Sequence, residues 1–203
     1  DDESERVGAE YLVAIRNDPS KPTGVLSTTI QTSMLMARML DAPRANFGSE
    51  STPSSAGLIG KKTFVFTDKL DVTNRLYWDL NDAEGWWETG TAKDTHVPKT
   101  LAHLRSGEQT FIRQDASKEP KEQREEVGQW WWAPQEIGHR VEADRQLRIG
   151  RTSSQDSGVT AEADVVIATA SLEVGYDDDE VGAVIQHKAP HDPARFIQRR
   201  GRA

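Results

Sequence analysis

Arginine side chains cluster at the C-terminal end of the chain, and their chemistry is the binding of phosphate or carboxylate groups. Residues 186–203 hold five Lys and Arg against one acid, Asp192, so the local charge is 5 − 1 = +4. The rest of the chain carries −8 − 4 = −12. A planar guanidinium group binds phosphate oxygens in a fixed geometry. The segment is therefore a candidate anion site, and the alternative is a basic surface helix that neutralises an acidic part of the chain.

Two other segments resemble part of a binding site, one for phosphate and one for magnesium. A phosphate-binding loop has two glycines with four residues between them, followed by Lys and then Ser or Thr. Residues 57–63 contain glycines and lysines, but the glycines do not have this spacing, and Lys62 stands where Ser or Thr is needed. The acidic run 177–180 cannot turn all of its carboxylates toward one ion, because neighbouring side chains diverge. A solvated turn is the favoured interpretation of that run.

The sequence also argues against thiol and metal chemistry. The chain has no cysteine, which excludes disulfide scaffolds, Cys-type zinc fingers, iron–sulfur clusters and thiol nucleophiles. The five histidines are scattered. His187 and His191 are four residues apart, but Pro190 argues against a helix that would align them. No metal site is predicted.

Composition and charge limit the class of protein further. The net charge of 25 − 33 = −8 excludes a polybasic binder that acts through bulk charge. No apolar run approaches the roughly 20 residues that cross a bilayer, and residues 1–6 contain no signal-peptide core. The sequence therefore predicts a cytoplasmic protein without membrane contact, of one domain with an insertion.

Three strand-like segments and two helices are expected to position the basic cluster. Strands are predicted over 63–67, 163–169 and 182–187, the second being a continuous apolar run typical of a buried parallel strand. Helices are predicted over 70–80 and 192–200. Alternating strands and helices predict an α/β domain with a mainly parallel sheet.

Two predictions concern the helices in more detail. In the helix over 70–80, one face is expected to combine four side chains: Leu70, Asn74, Tyr77 and Trp78. Another helix is predicted over 27–40, inside a lead-in of residues 1–60 that ends in a flexible loop.

A segment of about 80 residues, 82–162, separates the first two strands and is too long for one crossover. We predict that it is an insertion in a lobe that spans residues 61–203. The six tryptophans lie in or just before it, at positions 78, 86, 87, 130, 131 and 132. They either pack a small core or stack on bases and wedge a duplex apart.

Three ordered segments resemble the signature motifs of one family. Residues 168–177 (ATASLEVGYD) and 198–203 (QRRGRA) resemble motifs V and VI of the second RecA-like lobe of superfamily 2 helicases, and residues 64–68 (FVFTD) resemble motif IV. The form of the first segment is similar to that of Lhr-type helicases and of helicases in bacterial anti-phage defence. The resemblance implies a RecA-like sheet of the P-loop NTPase type, flanked by helices.

The resemblance also implies roles at a nucleotide. In the family, ATP with Mg lies between two lobes, and the second lobe supplies an arginine finger. Arg202 takes the finger position, and Gln198 would lie near the γ-phosphate or the attacking water. Asp177, Gly175 and Arg199 are the other nucleotide-binding candidates. For Asp177, membership of the solvated acidic run is the alternative.

Two threonines are implied to contact nucleic acid. Thr169 and Thr67 each follow a predicted strand, where the ligands of open parallel sheets gather. Both could instead cap the turns that follow.

The function implied is that of the second lobe of an ATP-dependent helicase or translocase. Neither the phosphate loop nor the Asp-Glu motif of a first lobe occurs in the sequence, so no ATPase activity is expected from this chain alone. The family's second motif VI arginine would lie beyond Ala203, as in a truncated lobe.

The expected partners are nucleic acid, with DNA favoured over RNA, the first lobe of the same parent chain, and a protein at the insertion. The alternative is a non-catalytic nucleic-acid- or protein-binding scaffold that uses the Trp-rich insertion.

Overall fold

The computed structural model describes residues 22–40, 60–94, 100–105, 117, 145–153, 162–169, 180–189 and 192–200. In chain order the elements are α1 (Pro22–Met39), β1 (Lys62–Phe66), α2 (Leu70–Ala83), a 3-10 helix (Leu101–Leu104), β2 (Ile149–Thr152), β3 (Val165–Ala168), β4 (Val181–Gln186) and α3 (Pro193–Arg200).

The four described strands form one parallel sheet in the order β2-β3-β1-β4. β1 lies between β3 and β4, and its last residue Phe66 pairs with Ala168 on one side and Gln186 on the other. Helices connect and cover these strands, so the α/β class with a parallel sheet flanked by helices is confirmed.

Both faces of the sheet are covered, because β1 and β3 are buried at every position. Successive side chains in a strand point to opposite faces, so these apolar runs feed two separate clusters. One cluster combines the helices with one face of the strands: Ile30, Met34, Ala37, Leu76, Leu80, Val65, Val165 and Ile167. The other consists of Phe64, Phe66, Ala163, Val166, Ala168 and Val181.

Helix α1 packs against the sheet. Its buried side chains Ile30, Met34 and Ala37 share a cluster with β1, α2 and β3. The helix begins five residues earlier than predicted, because Pro22 stands at its first position, where a proline has no hydrogen bond to lose. The helix that the sequence analysis assigned to a lead-in thus shares its core with the predicted lobe. None of the described helices is both long and apolar enough to cross a membrane.

The buried face of α2 differs from the predicted one. The side chains that α2 buries are Thr73, Leu76, Leu80 and Ala83, whereas Trp78 is 47 % exposed. The predicted face followed the large aromatic residues. Leu76 and Leu80, which lie one helical turn apart, pack against the sheet instead, between α1 and the strands.

Strand β2 lies within the segment 82–162 that was predicted to be an insertion. It pairs with β3 in register, Ile149 opposite Val165 and Thr152 opposite Ala168, and so belongs to the main sheet. Its sequence, IGRT, lacks the continuous apolar run that marks β1 and β3, because it borders only one described strand. Residues 149–152 are thus part of the sheet, and an insertion stays a prediction for the rest of 82–162.

Candidate functional site

The carboxyl ends of the four strands meet at one edge of the sheet, where open parallel sheets bind ligands. The chain leaves the strands there and places several polar residues side by side: Ser153, Thr169, Thr67, Asp68 and His187. Two of these, Thr67 and Thr169, are predicted nucleic-acid contacts. The structure brings them together, since the N–H of Thr67 donates to the carbonyl of Ala168 at 3.0 Å.

Thr67 is completely buried, and its side chain bonds within the protein. Its Oγ1 lies 2.5 Å from Oγ1 of Thr73 and donates to the carbonyl of Lys69 at 3.3 Å. These bonds close the turn between β1 and α2. Of the two roles weighed for Thr67, this geometry favours capping over a phosphate contact.

Thr169 is partly exposed at the same edge. Its backbone N–H donates to the carbonyl of Thr152 at 3.3 Å, so this N–H already has a partner within the protein. The side-chain contact with a nucleic-acid phosphate stays a prediction.

Helix α3 lies across this edge and starts as predicted, with Asp192 Oδ1 accepting the N–H of Ala194 at 2.9 Å. Near its end, Arg199 points onto the sheet and is only 1 % exposed. Its Nη2 donates to Asp68 Oδ1 at 2.9 Å and its Nη1 to Gln186 Oε1 at 2.5 Å. The guanidinium carbon also lies 5.4 Å from the ring centre of Phe66, within cation–π range.

These contacts change the interpretation of Arg199. The sequence analysis placed its guanidinium at a nucleotide, but in the structure the group is buried and bound to protein acceptors. A nucleotide contact would have to replace charge-assisted hydrogen bonds, which are the strong ones. The geometry therefore favours a role in holding α3 on the sheet.

Gln198 precedes Arg199 and is exposed, as is Ile197 at 61 %. Successive residues are about 100° apart around a helix, so Arg199 faces the sheet while Ile197 and Gln198 face outward. The other candidates, Arg202, Asp177 and Gly175, lie outside the described residues.

The side chains at this edge that could bind a metal ion or a nucleotide show how well it fits ATP with Mg. Among the described residues, no group of three or more His, Cys, Asp or Glu side chains could hold a metal ion. The one acid beside Arg199, Asp68, is already paired. Of the described residues, exposed Gln198 thus fits a place at the border of a nucleotide site. The described acidic residues do not fit its metal-binding centre.

His187 is a buried polar residue at this edge to which the sequence assigned no role. Its Nδ1 lies 2.8 Å from Thr29 Oγ1 on α1, and its backbone N–H donates to the carbonyl of Phe66 at 2.9 Å. Burial and then the charge of Lys188 lower its pKa below 6.5, against the opposing effect of Asp68. The neutral ring therefore ties α1 to the end of β4.

We expect this tie to make the fold sensitive to acid. Because the pKa of His187 is lower in the folded than in the unfolded chain, acidification below about pH 6.5 favours unfolding, by at most about 1.4 kcal/mol per pH unit. Urea denaturation at pH 7.5, 6.5 and 5.5 measures this slope, with His187→Asn as the variant that lacks the titrating ring. Equal slopes for the wild type and the variant would contradict the assignment.

Comparison with known proteins supports one family. Residues 140–203 match the family model described as the helicase conserved C-terminal domain, which is 64 of the 203 residues. The matched range contains β2, β3, β4 and α3, and therefore most of the carboxyl edge. No curated protein and no solved structure matches the chain.

The fold and the family match agree on the class. The parallel four-stranded sheet with its helices is that of a RecA-like α/β lobe, and its C-terminal part carries the features of a helicase C-terminal domain. The match does not distinguish Lhr-type or anti-phage helicases from other helicases.

Sequence reasoning missed Asp68 and Gln186 as functional residues. In the sequence, Asp68 is the last residue of the motif IV-like segment, and Gln186 lies inside the predicted strand 182–187. A signal was present for Asp68, because a carboxylate directly after a buried parallel strand lies at the ligand-binding edge. Its pairing with a residue 131 positions away was not visible in the sequence.

Proposed function

We propose that this chain is the second RecA-like lobe of an ATP-dependent nucleic-acid helicase or translocase of superfamily 2. The observation that carries the proposal is the position of the motif VI-like helix. Helix α3 is held at the carboxyl edge by contacts with the ends of β1 and β4, and β1 pairs there with the end of β3; α3, β3 and β4 lie in the range that matches the helicase C-terminal domain. Three segments far apart in sequence thus converge at one edge.

The proposed roles at the nucleotide follow from the resemblance of residues 168–177 and 198–203 to motifs V and VI. ATP with Mg, bound mainly by a first lobe, supplies the phosphoryl group that is transferred to water. Arg202 is the arginine finger that neutralises charge on the transferred group, and Gln198 orients the water or contacts the γ-phosphate. Asp177 and Gly175 border the nucleotide, while Arg199 acts through α3.

The proposed second ligand is one strand of nucleic acid, DNA in preference to RNA. Thr169 contacts a backbone phosphate, and Thr67 supports the same edge. The net charge of −8 is compatible with this, since a few placed groups bind the backbone. We place the protein in the cytoplasm and, by the form of its motif V-like segment, among the Lhr-type or antiviral defence helicases.

A comparison of ATPase rates tests the proposal. The purified chain should hydrolyse no ATP, because its sequence lacks the phosphate loop and the magnesium-binding acids. The full-length protein with both lobes should hydrolyse ATP, and single-stranded DNA should raise its kcat. A coupled assay with and without DNA measures both. Turnover by the isolated chain, or a two-lobed protein without DNA stimulation, would contradict the proposal.

Exposed tryptophans favour a second candidate, a scaffold that docks a partner through the insertion. Trp78 and Trp87 are 47 % and 44 % exposed, although Trp86 packs inward and donates from Nε1 to the carbonyl of Leu147 at 2.8 Å. A scaffold would bind DNA or a partner protein without any change in ATPase rate. The same assay therefore separates the two candidates.

A further inference from the structure

We infer that Asp68 is a positioning residue that anchors the helix preceding the candidate arginine finger; the catalytic consequence rests on the proposed function. Asp68 Oδ1 accepts from Nη2 of Arg199 at 2.9 Å. Arg199 lies on α3, three residues before Arg202 and directly after Gln198. The ion pair thus joins the segment after β1 to the helix that leads into the finger.

The partners of the guanidinium group are held by rigid structure. Gln186, whose Oε1 accepts from Nη1 at 2.5 Å, is the last residue of β4, and Phe66, below the guanidinium plane, is the last residue of β1. These two residues face each other in the strand register. The guanidinium group of Arg199 therefore contacts the ends of two hydrogen-bonded strands and has little freedom to move.

The carboxylate of Asp68 is itself fixed by the residues on either side of it. Before it, Thr67 bonds through its N–H to Ala168 and through Oγ1 to Thr73. After it, the carbonyl of Lys69 accepts the N–H of Thr73 at 3.0 Å. The turn holds Asp68 in place before α3 docks, which lowers the entropy lost when the pair forms.

Burial makes the charge of Asp68 important. Arg199 is 1 % exposed and Asp68 20 % exposed, so the guanidinium depends on protein groups for compensation of its charge. Gln186 supplies a neutral acceptor only. Loss of the carboxylate charge removes the described counter-charge of a buried cation, and α3 can relieve this by moving away from the sheet. Such movement would displace Gln198 and the point from which the chain continues to Arg202, and small displacements of catalytic groups are costly.

The test replaces Asp68 by asparagine in the full-length protein and measures two quantities. Amide hydrogen exchange over residues 197–200 should accelerate by roughly tenfold or more, the scale of one lost hydrogen bond to a charged group. The DNA-stimulated kcat should fall by about tenfold or more while the KM for ATP changes by less than about twofold.

Asp164→Asn is the matched control. Asp164 is likewise an acid paired with an arginine, Arg145, but it is buried and lies at the opposite, amino end of β3. Its substitution should destabilise the fold without selective exchange in α3 and without a fall in kcat. If Asp68→Asn does not fold, Gln186→Met carries the test, with a smaller acceleration of the same α3 amides.

The inference is overturned if the α3 amides exchange at the wild-type rate in Asp68→Asn, or if Asp164→Asn accelerates them equally. It is also overturned if α3 loosens and kcat does not change. A wild-type protein without DNA-stimulated ATPase would refute the proposed function instead. The exchange experiment would then still decide whether Asp68 anchors α3.

Discussion

Replacement of Arg202 by alanine in the full-length protein will lower the DNA-stimulated kcat by about 1,000-fold or more, the scale at which arginine fingers act. The reason is that a planar guanidinium neutralises charge that develops on the γ-phosphoryl group only in the transition state. The KM for ATP should change much less, since ground-state binding relies on the first lobe. Steady-state ATPase kinetics at saturating DNA measure both constants.

Two further variants sharpen the result. Arg202→Lys should recover little activity, because a flexible ammonium does not reproduce the guanidinium fork. Arg75→Ala removes an arginine whose side chain is 68 % exposed on α2, pairs only with Asp79 among the described ion pairs, and should leave kcat unchanged. Full activity in Arg202→Ala would refute the finger assignment, and the scaffold would then be the better proposal.

Replacement of Glu84 by glutamine will destabilise the fold by about 3–5 kcal/mol, the typical cost of removing one partner from a buried ion pair. Glu84 is fully buried at the end of α2, and its Oε1 and Oε2 accept from Nη1 and Nη2 of Arg38 at 2.7 and 2.8 Å. The N–H of Leu147 donates to the same carboxylate at 3.0 Å, and Arg105 donates to the Glu84 carbonyl at 3.2 Å. One carboxylate thus joins α1 and the segment before β2 to the end of α2.

Thermal unfolding measures this effect, and a loss of this size lowers Tm by roughly 10 °C in a chain of this length. Glu162→Gln is the control, since its pair with Arg148 is exposed and should contribute less than about 1 kcal/mol. Arg38→Met should be nearly as damaging as Glu84→Gln, and the double variant should lose less than the sum. Additive losses would show that the pair is not coupled.

The sequence by itself determined the α/β class, the parallel sheet and the place of the candidate site. Continuous apolar runs at 63–67 and 163–169 have one simple explanation, strands buried on both faces, and this depends only on local pattern. Residues that follow such strands must lie at the carboxyl edge, and Thr67 and Thr169 do lie there, while their contact with nucleic acid stays a prediction.

Only the tertiary structure decided which side chains face one another. The buried face of α2, the membership of β2 in the sheet and the pairing of Arg199 with Asp68 depend on contacts between distant segments. The Arg38–Glu84 pair likewise spans 46 positions. A charged residue has the same local pattern whether it meets solvent, a ligand or a buried counter-charge, and the packing of helices on the sheet selects among these. That is why Arg199 resembled a nucleotide ligand in the sequence and is an anchor in the fold.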